Sequence, residues 1–219
     1  MLATRGDRPL AERATWAREF ARRGWAGERE YQLLVEMKGI EPRIWRRVVM
    51  PDATPLPLLH RILQTAFSWK DYHLHEFRVG TVCFGVPDDE YRPPHIDESC
   101  VRLYQLAHEP GDHFVYLYDF GDSWEHHVFL EDMRAAGSPV TPVCLDGERA
   151  APPEDCGGGD GYQQLVEALR DARHPDHADL KRWAGRYDPD ALNLELINRR
   201  LARLPRGWNG RGGRVRAVP

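Results

Sequence analysis

Residues 114–131 read FVYLYDFGDSWEHHVFLE, and this stretch decides the fold class. FVYLYDF (114–120) is apolar on both faces, as expected of a strand inside a sheet. Gly121, Asp122 and Ser123 supply the turn. WEHHVFLE (124–131) then alternates, with Trp124, His126, Val128 and Leu130 on one side and His127 on the other. Two strands joined by so short a turn pair antiparallel.

Upstream, Tyr31, Leu33, Val35 and Met37 alternate with Gln32, Leu34, Glu36 and Lys38, which predicts a half-buried strand. Gly39-Ile40-Glu41-Pro42 turns the chain into a second strand, IWRRVVM. Asp52 or Thr54 is the expected cap of a helix that starts at Pro55 and turns Leu56, Leu59, Leu63 and Phe67 inward. HLHEFRV (73–79) reads as a strand with His73, His75, Phe77 and Val79 on one face. Residues 86–113 read as mainly loop around a short element at 100–106, and 137–161 as loop. Three helices are expected late, over 162–172, 176–184 and 190–203, the last with Leu192, Leu196, Ile197 and Leu201 as its stripe. The sum is an α+β domain: a mainly antiparallel sheet of about five to six strands, one early helix and three late helices packed against it.

The domain is expected over 29–204. Residues 1–28 are expected to form an N-terminal helical extension, with Asp7 as cap and Leu10, Ala14, Ala17 and Ala21 on one stripe. A leader helix packed on the domain or on a partner subunit suits it better than a membrane or nucleic-acid arm, and its stripe would suit a homodimer. Residues 205–219, rich in Arg and Gly, read as a flexible tail.

The chain has 219 residues, 42% of them apolar and 29% charged, as in soluble globular proteins. No apolar run approaches the ~20 residues that span a bilayer, and the N-terminus lacks the apolar core of a signal peptide. Cys83, Cys100, Cys144 and Cys156 are too few for a disulfide framework in a chain of this length, so a reducing, cytoplasmic location is expected. The net charge of −4 conceals an acidic centre: residues 71–160 hold 19 Asp and Glu against 5 Arg, with seven of the ten histidines. That charge disfavours specific nucleic-acid binding through the centre and favours divalent cations.

YQLLVEMKGIEPRIWRRV, HLHEF, YDFGDSWEH, PVCLDGERAAPPEDCGG and the stretch around DPDALNLELINRRL occur in that order. Together they resemble the plasmid pRiA4b ORF-3-like family, over about residues 29–204. The resemblance implies a fold and a link to mobile elements, since members include proteins carried by insertion elements and labelled TnpR-like. It does not supply a resolvase. Ser123 and Ser138 sit in acidic surroundings, Ser68 and Ser99 lack an Arg cluster, and no helix-turn-helix or Arg/His/Arg set beside a Tyr can be assembled.

Two constellations could carry chemistry. His73 and His75, at i and i+2 on a strand, project to one side, as paired metal ligands do. His126 could meet them from a neighbouring strand, with Asp119 or Asp122 completing the shell of a Zn²⁺, Mn²⁺ or Fe²⁺ ion or orienting an imidazole. The alternative is three semi-buried histidines, each satisfied by hydrogen bonds. Cys144 and Cys156, with Glu154 and Asp155, lack the close pairing of a zinc knuckle and suit small buried side chains better. Gly157–Gly161 lacks the Lys-Ser/Thr of a phosphate loop and suits a turn that lets the backbone pass the YDFGD loop. Tyr118 and Trp124 are candidates for lining a ligand pocket, or for ordinary packing.

Three functions fit: a ligand- or divalent-metal-binding protein; a metal-dependent hydrolase of phosphoester or related bonds, with Glu154 or Asp155 as general base; or a protein-interaction module whose polar motif only fixes a hairpin.

Overall fold

The computed structural model describes residues 29–87, 95–136 and 141–204. The helical extension expected over 1–28 and the Arg/Gly tail lie outside the described residues. Within them run β1 (Arg29–Met37), β2 (Trp45–Pro51), α1 (Leu56–Phe67), β3 (His75–Val79), β4 (Val82–Gly85), β5 (Ile96–Asp97), β6 (His113–Tyr118), β7 (Trp124–Ala135) and β8 (Val143–Glu148). Three helices follow: α2 (Gly158–Arg170), α3 (His177–Ala184) and α4 (Leu194–Leu201). The strands form a single sheet in the order β5-β4-β3-β6-β7-β1-β2-β8, antiparallel except for β4 with β5.

The α+β class agrees with the alternation in the sequence, but the sheet has eight strands rather than five to six. The additional ones are β4, β5 and β8, at or near the two edges. The Gly- and Pro-rich composition of 137–161 reads as loop, and β8 shows little alternation to counter it: only Cys144 in it is buried, Leu145 is 46% exposed, and a register shift falls opposite Arg47 and Val48. Its edge is closed from the side: Asn198 of α4 accepts from the Cys144 N–H at 2.7 Å and donates to the Cys144 carbonyl at 2.9 Å. A side-chain amide thus stands where another strand would pair, which blunts the edge.

One face of the sheet is buried under α1. Tyr31, Leu33, Val35 and Met37 of β1 and Leu56, Leu59, Leu63 and Phe67 of α1 all lie in the core. Each such aliphatic side chain contributes about 1.5–3 kcal/mol by leaving water. Neither Asp52 nor Thr54 caps α1. Thr54 closes its own turn, its hydroxyl donating to the Pro51 carbonyl at 2.6 Å, while Pro55 takes the N-cap position. The Leu56 N–H instead donates to the Val101 carbonyl at 3.1 Å. The other end of α1 is held by Arg46, which is 2% exposed. Its Nε donates to the Ala66 carbonyl at 3.0 Å, and its terminal nitrogens donate to the carbonyls of Trp45, Glu148 and Arg149. No helix among the described residues is long and apolar enough to cross a membrane.

Candidate functional site

The inner face of β3, β6 and β7 carries a polar layer where α1 crosses it. His60 of α1 and His75 of β3 stack at 3.5 Å with 6° between their planes. His60 Nε2 lies 2.7 Å from Asp71 and Nδ1 lies 2.8 Å from the Tyr116 hydroxyl, which also accepts from Gln64 at 3.0 Å. With Gln64 donating, the Tyr116 hydroxyl donates to Nδ1, so Nε2 carries the proton offered to Asp71. Burial, and then the neighbouring His75, push the His60 pKa down, which keeps it neutral. His75 Nε2 meets Glu98 at 2.9 Å.

His126 lies elsewhere on the same face. It is wholly buried between Phe67, Trp69 and Tyr116, with Nδ1 3.3 Å from the Tyr116 carbonyl and Nε2 without a hydrogen bond. Burial pushes its pKa down to about 4. His73, His75 and His126 therefore do not converge. β3 begins only at His75, so His73 stands in the preceding turn and is free of the strand's side-chain alternation.

His73 meets other donors instead. Its Nε2 lies 3.5 Å from Asp119 Oδ2 and 3.2 Å from Asp155 Oδ1, and the three ligand atoms lie within 4.8 Å of one another. These contacts are of ion-pair length, yet Nε2 is a buried atom with no well-aligned hydrogen bond. Asp119 and Asp155 both have left-handed backbones, φ +58° and +61°. In Asp119 this lets Oδ1 accept from the N–H groups of Gly121 and Asp122, leaving Oδ2 for His73. Asp122 is turned away, its Oδ2 accepting from the Gly157 N–H at 3.3 Å. Of the five residues read as ligands, the structure brings together His73 and Asp119, and it adds Asp155.

Glu154, read as a general base beside Asp155, is engaged elsewhere. It accepts the Tyr118 hydroxyl at 2.6 Å and the Lys70 N–H at 3.2 Å to each oxygen. Tyr118 and Trp124 are packing residues: both are buried and stack with Trp69 at 5.0 and 6.4 Å. Trp69, with Lys70, Tyr72, Tyr187 and Leu192, lines a cleft of about 360 Å³ that Asp155 also borders. Cys144 is buried and its thiol is pushed up by that burial. Cys156 is pushed up to about 12 by burial and then by Asp122. Neither joins a donor cluster among the described residues.

A profile of the family described as plasmid pRiA4b ORF-3-like protein matches residues 29–196. The chain belongs to that family. It is 40% identical over 180 residues to the uncharacterised protein y4hQ of Sinorhizobium fredii, an alignment covering 81% of this chain and 93% of that protein. It is also similar to the crystal structure of MM3350, a protein of unknown function from Methanosarcina mazei Go1. There the identity is 35% and the TM-score 0.68, covering 78% of this chain and 98% of that one. Neither description carries an activity, so function rests on the site.

In this pRiA4b ORF-3-like domain the glycine run serves the site's scaffold. Gly158 has φ +66°, and a Cβ there would lie 2.9 Å from the Asp122 carbonyl oxygen, so the backbone passes the YDFGD loop as its composition suggests. Gly158→Ala should therefore cost about 1–3 kcal/mol, through both the left-handed backbone and the clash. Gly159→Ala, where the nearest atom is 3.9 Å away, should be neutral or stabilising by up to about 1 kcal/mol. Urea denaturation of the pair checks this. Equal costs would refute the close approach.

The His60–Asp71 and His75–Glu98 pairs were not anticipated. A signal existed: His60 and Gln64 fall on the same helical stripe as Leu56, Leu59, Leu63 and Phe67, and polar residues on an apolar stripe need partners.

Proposed function

We propose that the protein binds a divalent cation through His73, Asp119 and Asp155, at the border of the cleft lined by Trp69, Lys70 and Tyr72. The observation that carries this is the buried Nε2 of His73, which has no aligned hydrogen bond although two carboxylate oxygens stand within 3.5 Å of it. A cation between the three atoms satisfies the nitrogen and neutralises both carboxylates. One imidazole with two carboxylates suits Mn²⁺, Fe²⁺ or Zn²⁺ and leaves coordination positions for water or a ligand. Asp155 borders both the cluster and the cleft, so a ligand held there reaches the ion. The Lys70 ammonium on the same wall favours a ligand with an anionic oxygen.

Mn²⁺ tests the site because it prefers oxygen and nitrogen donors over thiolate. Titration calorimetry, with manganese EPR, is expected to give one equivalent bound. His73→Ala and Asp119→Asn should weaken binding by ten-fold or more, about 1.4 kcal/mol or above. Asp122→Asn should change it far less. A wild-type protein that binds no Mn²⁺, or a His73→Ala variant that binds it equally well, removes the proposal.

A further inference from the structure

Towards the β5 edge of the sheet stands a second donor set, built from different chemistry. Glu76 of β3 is 5% exposed, an unusual position for a carboxylate unless it is paired. Its strand register sets Glu76 opposite Gly85 and Arg78 opposite Cys83, so all four share one face of the β3–β4 hairpin. His95, which precedes β5, lies across this face. A Cβ on Gly85 would stand 2.9 Å from His95 Nδ1 and 3.3 Å from the His75 carbonyl oxygen, so only a residue without a side chain leaves the ring its place.

The Glu76 carboxylate joins the ring to Arg78 through its two oxygens. His95 Nε2 is 2.7 Å from Glu76 Oε2, while Arg78 Nε binds Oε1 of the same carboxylate. Arg78 thereby fixes the orientation of Glu76, as an outer partner does for a ligating carboxylate. Cys83 brings a thiol to the same point and forms no disulfide. One ligand atom from each of Glu76, Cys83 and His95 lies within 4.8 Å of the other two. Tetrahedral zinc with bonds of about 2.0–2.3 Å sets its donors roughly 3.3–3.8 Å apart, so the His95–Glu76 contact opens by about 0.6 Å and the wider pairs close by up to about 1.5 Å to assemble the set.

From this geometry we infer that Glu76, Cys83 and His95 form a zinc-type metal site that ties β3, β4 and the segment entering β5 together. The donors are thiolate, imidazole and carboxylate, a mixture that selects a borderline-soft ion and leaves a fourth position for water or a ligand. Loading takes Cys83 as its thiolate and His95 as a neutral ring that keeps its proton on the other nitrogen. The site is independent of the His73 cluster. It uses none of those residues and includes a sulfur, which those three donors lack.

Cobalt(II) titration of the chelator-treated full chain tests the assignment, since cobalt substitutes for zinc and reports its ligands. One equivalent is expected to raise a near-ultraviolet thiolate-to-cobalt charge-transfer band with tetrahedral visible bands, and added Zn²⁺ should abolish both. Cys83→Ser should lose the charge-transfer band, His95→Gln should weaken binding by ten-fold or more, and His73→Ala should leave the band unchanged. Far-UV circular dichroism establishes that each variant is folded. Should Cys83→Ser not fold, His95→Gln decides the matter, and an unaltered affinity there overturns the three-donor site. Absence of the band in the wild type, or its survival in a folded Cys83→Ser, overturns it equally.

Discussion

Arg46→Met should destabilise the domain by about 3–5 kcal/mol, because four buried carbonyls lose a charged donor at roughly 1 kcal/mol apiece. Arg46 has no carboxylate partner among the described residues. Four backbone carbonyls compensate its charge, those of Ala66, Trp45, Glu148 and Arg149. Burial lowers its pKa only to about 10, so it remains a cation at neutral pH. The Ala66 carbonyl belongs to the last turn of α1, whose terminal acceptors have no partner within the helix and sit at the negative end of its dipole. The guanidinium also lies 5.0 Å from the Phe67 ring centroid. One side chain therefore joins the C-terminus of α1, strand β2 and the end of β8. Methionine keeps much of the volume but supplies no donor, and it leaves those carbonyls short of a partner in a buried setting.

Arg46→Lys should recover little of the loss, because three donors on a point charge cannot replace a planar fork spread over four acceptors. Arg43→Ala, with a half-exposed side chain, should stay within about 0.5 kcal/mol of the parent. Equilibrium urea denaturation gives the three values. Hydrogen exchange of Arg46→Met should show the amides of β8 losing protection before those of β1. A cost below about 1 kcal/mol, or unchanged β8 protection, would mean that the carbonyls find other donors and that Arg46 is not the tie.

What the sequence disclosed divides along physical lines. β1, β2, β6 and β7 are central strands with one face in the core, so alternation marks them, and Leu33, Val35, Tyr116 and Val128 lie where the period sets them. β5 and β8 escape because an edge strand has little to bury and a register shift scrambles what remains. The same division runs through the candidate site. His73 and Asp119 stand out because HLH and YDFGD concentrate imidazole and carboxylate in short stretches. Their partner Asp155, 36 positions beyond Asp119, is read from the sequence as a general base rather than a ligand, because proximity across such a gap has no local signature. His75 was assigned to the wrong companions for a related reason. Strand period fixes its face, but what covers that face is α1, and the pairing of His60 with His75 depends on how the helix crosses the sheet. The set of Glu76, Cys83 and His95 depends on β4 and β5, strands that the sequence did not announce.

Acid should unfold the domain through its buried imidazoles before its carboxylates. His126 is wholly enclosed. Burial is the principal cause of its low pKa, with the Arg46 charge adding to it and Glu125 opposing. Its folded pKa of about 4 lies below the ordinary 6.5, so between these values the unfolded chain binds the proton and the folded chain does not. Stability is therefore complete above pH 6.5 and falls as the pH drops from 6.5 to 4, where the folded form begins to protonate as well. At 1.36 kcal/mol per unit, His126 alone accounts for a loss of about 3 kcal/mol between pH 7 and pH 4. His60 acts in the same direction, because burial and His75 depress it too. Carboxylates held low by partners, such as Glu131 beside Arg47 and Asp71 beside His60, lose their contributions only at lower pH. In the window between pH 6.5 and 4.5 the imidazoles thus oppose the fold, while Asp52, raised by burial, acts in the opposite direction and cancels from the comparison of parent and variant. His126→Leu removes one titrating group and an orphaned Nε2 at similar volume, so its stability at pH 7 should lie within about 1 kcal/mol of the parent. The variant's stability should be flatter in pH by nearly one proton, and it should overtake the parent in acid. Urea denaturation at half-unit intervals from pH 7.5 to 4.5 measures both slopes. A difference between parent and variant that does not change with pH would mean that His126 binds its proton equally well folded and unfolded, and the buried neutral imidazole would have to be abandoned.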